Sequence, residues 1–179
     1  TQQRVGFKGR SFTFLKFRTM HTDREEVSHQ DLLKDLINNS DKPMQKLDGK
    51  DPRIIPGAKI LRSASIDELP QLWNVFKGNM SLVGPRPCIP YEAEEFLRWH
   101  AQRFDIMPGC TGLWQVSGKN HLTFHEMLCM DIKYSREYSL LLDLKLILLT
   151  FPAILEMVLE KVNSKFAKQQ VFMAGDENG

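Results

Sequence analysis

Two adjacent carboxylates, Asp67 and Glu68, stand in the run Ser65-Ile66-Asp67-Glu68-Leu69-Pro70-Gln71. An ionised Asp can attack a phosphorus atom and form an acyl phosphate. A neighbouring Glu supplies the hard oxygen ligand that suits Mg²⁺, a cation that bridges substrate phosphates. Phosphate charge must be offset, and Lys16, Arg18, Arg62 and Arg86 are the candidate cations. Arg86 is held between Pro85 and Pro87, which presents its planar fork at low entropic cost. Arg62 precedes the pair closely enough to reach the same pocket across a bend. For each cation a solvated surface or a structural ion pair is the competing reading.

The acidic pair also has a purely structural reading. Ser65-x-x-Glu68 matches a capping box, with Asp67 complementing the helix dipole. Pro70 conflicts with it, because inside a helix its missing N–H removes a hydrogen bond. A cap at Asp67 instead would leave Pro70 among the unpaired first-turn positions. Both placements put two carboxylates at a helix start, where backbone N–H groups favour anions.

The elements that must position these groups follow from periodicity and breakers. Residues 5–18 carry Phe12, Phe14 and Phe17 among polar residues, with Gly6 and Gly9 as breakers, and predict a short β-hairpin. Residues 22–50 are polar, with a weak helical stretch at 27–37 and a loop at 38–50. Asp51-Pro52-Arg53 and Pro56-Gly57 are turn signals. Leu72, Trp73, Val75 and Phe76 have helical spacing, and Gly78 stops that helix. Residues 81–83 precede the rigid Gly84-Pro85-Arg86-Pro87. A helix is expected over 90–104, a Gly-punctuated loop over 108–120 and another helix over about 123–138.

Residues 140–159 form the most apolar stretch, nearly the roughly 20 residues that span a bilayer. Asp143, Lys145 and Glu156 interrupt it, and a charge at mid-membrane costs about 2.5–3.5 kcal/mol. Pro152 predicts a kink. Lys145 and Glu156 share one helical stripe and Asp143 and Thr150 another, with apolar flanks between. Two placements fit: a core helix, or a helix with one flank on the core and the other at a membrane surface.

The 179 residues fit one domain, with 42% hydrophobic and 26% charged content. A net charge of +2 and the lack of a nucleic-acid motif argue against a nucleic-acid partner. The three cysteines, Cys88, Cys110 and Cys129, form no CxxC pair, so neither a disulfide framework nor a zinc knuckle is indicated, and a reducing setting fits. His121 and His125 lie one helical turn apart without an evident third ligand, which favours surface or capping roles. Walker A, GxGxxG, HExxH and GxSxG motifs are absent from the sequence.

Taken in order, the segments Gln3-Arg4-Val5-Gly6, Lys16-Phe17-Arg18-Thr19-Met20, Asp51-Pro52-Arg53, Leu61-Arg62 and the acidic run through Val75 form a long pattern. Lys77-Gly78-Asn79-Met80-Ser81-Leu82-Val83-Gly84-Pro85-Arg86-Pro87 and Pro108-Gly109-Cys110-Thr111-Gly112-Leu113-Trp114-Gln115-Val116-Ser117-Gly118 extend it, and residues 139–145 complete it. This pattern resembles the bacterial sugar transferase family, the monotopic polyprenyl-phosphate phosphoglycosyl transferases. Leu113-Trp114-Gln115 is closer to the large members that initiate exopolysaccharide or O-antigen synthesis. The resemblance covers residues 3 to about 155.

The resemblance implies a ping-pong transfer. Asp67 attacks the β-phosphate of a UDP-sugar, UMP leaves, and a polyprenyl (undecaprenyl) phosphate takes the phosphosugar from the enzyme. Glu68 helps to bind Mg²⁺, Lys16, Arg62 and Arg86 match charged active-site positions, and Asp143 matches a late acidic position. The implied fold is α+β and helix-rich, one catalytic domain over 1–160 with a short hairpin and amphipathic helices at the cytoplasmic membrane face. Residues 161–179 read as a tail, mobile in expectation. The chain opens without Met and reads as a core whose membrane-embedded N-terminal segment lies outside it. The alternative from another class is a non-catalytic UDP-sugar-binding or scaffolding domain, for which a nucleophile has no use.

Overall fold

The computed structural model describes residues 1–21, 54–55, 57–118 and 122–176, with backbone alone for 59, 60, 63 and 160–176. The stretch expected to be helical at 27–37, the loop at 38–50, Asp51-Pro52-Arg53, Pro56 and His121 lie outside these residues. The described chain has the expected α+β, helix-rich character with one short antiparallel hairpin.

That hairpin pairs β1 (Gln2–Val5) with β2 (Ser11–Phe14), Arg4 facing Phe12 and Val5 facing Ser11. It begins before residue 5 and ends before Phe17, so only Phe12 and Phe14 belong to the strand. Lys8 (φ 54°) and Gly9 (φ 71°) make the left-handed corner that lets the chain reverse. Val5 and Phe14 turn inward and are buried.

α1 (Ala58–Ser63) leads through the 3₁₀ turn Ile66–Glu68 to α2 (Gln71–Phe76). Gly78 follows at φ +73°, the left-handed stop expected there. β3 (Ser81–Val83) then pairs in parallel with β4 (Gly109–Thr111). The region 108–120 is therefore more than a loop, since it contains β4 and α4 (Leu113–Val116). Only the distant partner at 81–83 makes Gly109-Cys110-Thr111 a strand.

The helix expected over 90–104 is two elements, α3 (Pro90–Glu94) and a 3₁₀ helix at Arg98–Asp105. Leu97 is extended, and its N–H donates to His100 Nδ1 at 3.0 Å, a new start signal that ends the first helix. Burial lowers the His100 pKa, with His125 and Arg103 adding to it, in keeping with a neutral ring that accepts this bond. Phe96, on the break, packs against His100, Phe104 and Phe124.

α5 (Phe124–Glu137) carries the expected helix and opens on a capping box. The Glu126 N–H donates to Thr123 Oγ1, and Glu126 Oε2 accepts from the Thr123 N–H at 2.8 Å. Its inner face, Phe124, Met127 and Leu128, packs on Trp114, while Tyr134 joins Val83 and Leu146 in a second cluster.

α6 runs from Leu140 to Asp176, well past residue 159, and continues through Pro152. Leu146 is buried, whereas Leu140, Leu144, Leu148, Phe151 and Leu155 are exposed at three- and four-residue spacing. One flank of α6 thus lies on the core and the other is an unpartnered apolar stripe. Among the described residues no helix is long and apolar enough to cross a membrane.

Candidate functional site

Neither expected cap forms at the acidic pair. Ser65 is left-handed (φ 54°, ψ 20°) and its side chain caps nothing, whereas an N-cap needs an extended residue. Pro70 occupies the cap position of α2, where the lack of an N–H does no harm. Asp67 and Glu68 instead share a separate 3₁₀ turn, which frees their side chains from helix capping.

Asp67 is 1% exposed. Lys16 Nζ lies 2.9 Å from Asp67 Oδ2 and 3.2 Å from Glu68 Oε1. The approach to Asp67 is close in distance but not aligned as a hydrogen bond, so among the described residues this oxygen has a counter-charge and no donor. A buried carboxylate oxygen left without a hydrogen bond is costly to keep, which sets this residue apart from an ordinary structural acid. Arg86 Nη1 stands 3.9 Å from Glu68 Oε1, on the opposite strand-to-loop segment.

Lys16 follows β2 in a segment with no regular structure, and its position is set from α2. Asn74, buried, donates through Nδ2 to the Thr13 carbonyl at 2.7 Å and accepts the Leu15 N–H on Oδ1 at 3.0 Å. The Phe17 N–H then donates to the Asp67 carbonyl at 2.9 Å. Residues on both sides of Lys16 are thereby tied to the elements that flank the carboxylates.

The structure brings Lys16, Asp67, Glu68 and Arg86 together. Arg62 donates to Thr19 Oγ1 at 3.3 Å, three residues beyond Lys16. Arg18 is exposed and makes no ion pair among the described residues. Asp143 is tied elsewhere, accepting from the Tyr134 hydroxyl at 2.6 Å. Burial, reinforced by that bond to Asp143, raises the Tyr134 pKa.

A cavity of about 350 Å³ opens beside Glu68, which is the one acidic side chain lining it among the described residues. Leu69, Leu72 and Leu82 form one wall, and Ile147, Phe151 and Ile154 of α6 face them. Its size suits a small-molecule or chain-like ligand, and its walls are apolar. Cys110 also lines it, with its thiol pushed up to about 11 by burial and by the Glu68 charge, and so is a poor nucleophile there.

Sequence reasoning passed over Arg103 and Asp131. Arg103 is 2% exposed and its Nη2 lies 2.7 Å from Asp131 Oδ2, with Glu92 Oε1 at 3.7 Å from Nη1. One signal was present: Asp131 falls on the apolar stripe of α5, after Met127 and Leu128. Burial pushes the Asp131 carboxyl up to about 7, opposed by Arg103 and assisted by Glu92. Its folded pKa thus exceeds the ordinary 3.8, so its stabilising contribution is full below about pH 4 and lost as the pH rises through about 7. Thermal unfolding across that window is expected to show a smaller fall in Tm for Asp131→Asn than for the wild type; parallel profiles would refute the assignment.

Comparison with known proteins identifies a family. The family model for bacterial sugar transferases matches residues 1–157. The galactosyl transferase CpsE of Streptococcus agalactiae is 46% identical over 156 residues, 87% of this chain and 34% of that protein. The UDP-galactose-lipid carrier transferase of Erwinia amylovora is 40% identical over 154 residues, 86% of this chain and 32% of that protein. The undecaprenyl-phosphate glucose phosphotransferase of Komagataeibacter xylinus is 36% identical over 160 residues, 83% of this chain and 27% of that protein. The chain spans about a third or less of each of these relatives. With the family model matched over most of its length, the chain belongs to the bacterial sugar transferase family.

Proposed function

We propose that this chain carries the chemistry that moves a phosphosugar from a UDP-sugar to a polyprenyl phosphate, with Asp67 as the nucleophile. The observation that supports it best is a buried carboxylate with a donor-free oxygen, flanked by Lys16 and Glu68 beside an apolar cavity. In the first step an Asp67 oxygen bonds to the β-phosphorus, the bond from that phosphorus to the bridging oxygen breaks, and UMP departs. A polyprenyl phosphate oxygen then attacks the same phosphorus, and Asp67 leaves as a free carboxylate. Lys16 and Arg86 face the phosphate charge that moves through these steps. The names of the relatives, which include a UDP-galactose-lipid carrier transferase and an undecaprenyl-phosphate glucose phosphotransferase, support the same donor and acceptor classes.

Mg²⁺ is part of the proposal. Among the described residues no group of three or more His, Cys, Asp or Glu is placed to hold a metal. Glu68, which lines the cavity, fits the sparser set that Mg²⁺ uses, one or two carboxylates completed by substrate phosphates and water. Bound there, it would neutralise diphosphate charge. UMP release measured with UDP-galactose, UDP-glucose and UDP-N-acetyl sugars, on the protein at its natural length, tests the proposal. Release with at least one donor is expected; tight donor binding with no release would favour a binding module.

The exposed stripe of α6, whose Phe151 lines the cavity, and the exposed Trp73 and Phe76 of α2 (Phe76 is 80% exposed), whose Leu72 lines it, support contact with the cytoplasmic membrane face. Co-sedimentation with anionic phospholipid vesicles is expected to weaken at least about tenfold in Phe76→Glu/Phe151→Glu. Unchanged binding would remove this surface from the membrane proposal.

A further inference from the structure

The loop that carries Arg86 has two prolines and so few N–H groups to fix it, yet four consecutive carbonyls along it are all engaged. Pro85 O accepts from the Gly109 N–H at 2.9 Å, and Arg86 O from Arg103 Nη2 at 2.7 Å. Pro87 O accepts from Arg4 Nη1 at 3.3 Å, and Cys88 O from the Val5 N–H at 2.9 Å. Two of these donors are guanidinium groups reaching in from elsewhere. Arg4 is pushed down to about 10, first by burial and then by the neighbouring Arg86. Arg103 is enclosed, charged and paired with Asp131.

Burying an ion pair is a poor way to gain stability, since an apolar pair of similar volume does as well or better. What an apolar pair cannot do is donate to a backbone carbonyl in a direction fixed by a second anchor. Asp131 supplies that anchor from α5, and Arg103 carries it to the residue whose own side chain faces Glu68. We infer that Arg103, fixed by Asp131, is a positioning residue that aims the Arg86 guanidinium at the acidic pair. This inference rests on the phosphosugar-transfer reading for its kinetic consequence, and on geometry alone for the placement of Arg86.

Arg103→Lys keeps the charge but loses the reach and the rigid plane that bring one nitrogen, Nη2, to both Asp131 and the Arg86 carbonyl. In the protein at its natural length, UMP release is measured for wild type, Arg86→Ala, Arg103→Lys and the double variant, alongside Tm. Arg103→Lys is expected to lower kcat/KM by about tenfold to a hundredfold. In the Arg86→Ala background it should cost no more than about twofold, because the residue it serves is already gone. Equal losses in the two backgrounds would mean that Arg103 only supports the fold, and overturn the inference. A second readout needs no turnover: the Nε–Hε NMR signal of Arg86, assigned by its absence in Arg86→Lys. It should move to the position of a free arginine in Arg103→Lys, and an unmoved signal overturns the inference. If the wild type releases no UMP, the transfer reading fails while the NMR comparison still decides the placement.

Discussion

Asp67→Asn is expected to lower UMP release by at least about a thousandfold, the scale on which loss of a nucleophile is felt. The amide is nearly isosteric with the carboxylate but cannot form the acyl phosphate. Folding should survive the change. Asp67 is enclosed, and among the described residues its Oδ2 has no hydrogen-bond donor and Lys16 as its ion-pair partner, so an ionised carboxylate there is poorly solvated. Removing that charge relieves a cost, while Lys16 keeps Glu68 at 3.2 Å. The Tm of Asp67→Asn is therefore expected to equal or exceed that of the wild type, the usual sign of a residue kept for chemistry. A variant that retains a tenth of the wild-type rate with a sound fold would exclude Asp67 as the nucleophile.

The largest stability loss is expected at Gly109. A Cβ there would press into the Gly84 nitrogen and stand 2.5 Å from the Val83 carbonyl carbon and 2.6 Å from the Thr111 oxygen. Gly84 has the reciprocal difficulty, its Cβ meeting the Met107 oxygen and, at 2.8 Å, the Gly109 nitrogen. These neighbours are all backbone, so no side chain can swing away. Relief requires β3 and β4 to part, and the bonds from Gly84 N–H to Thr111 O and from Gly109 N–H to Pro85 O would go with it. Gly109→Ala is expected to cost about 3 kcal/mol or more in urea denaturation. It should also reduce UMP release, because the Pro85 carbonyl it displaces begins the Arg86 loop. A loss under about 1 kcal/mol would show that the two strands tolerate separation.

How legible each part was depends on the range of the interaction that decides it. The hairpin, α2 and α5 follow from near neighbours: alternating Phe12 and Phe14, the stop at Gly78, the apolar spacing after Thr123. β4 was hidden because its partner lies nearly thirty residues away in sequence, at Ser81–Val83, and its own Gly109 argues against a strand. The break after α3 was hidden because a histidine ring nitrogen, not a Gly or Pro, starts the next turn. In the site, residue type alone singled out Lys16, Asp67, Glu68 and Arg86, which the fold gathers. Arg103 carries no such mark and Asp131 only its place on the apolar stripe of α5, and burial makes them a pair.

Asn74 has a consequence for how the surface of this domain can vary. A carboxamide is the side chain that can donate to one peptide oxygen while accepting from the next peptide nitrogen; ionised Asp can only accept, and Leu can do neither. The reach of the Lys16 ammonium is thus gauged by a distant residue through main-chain atoms that every sequence possesses. Outward side chains of the hairpin, such as Gln2, Ser11 and Thr13, are left out of that measurement. Substitutions at Ser11 or Thr13 should therefore leave the lysine where it is, since only the main chain of this strand is gripped.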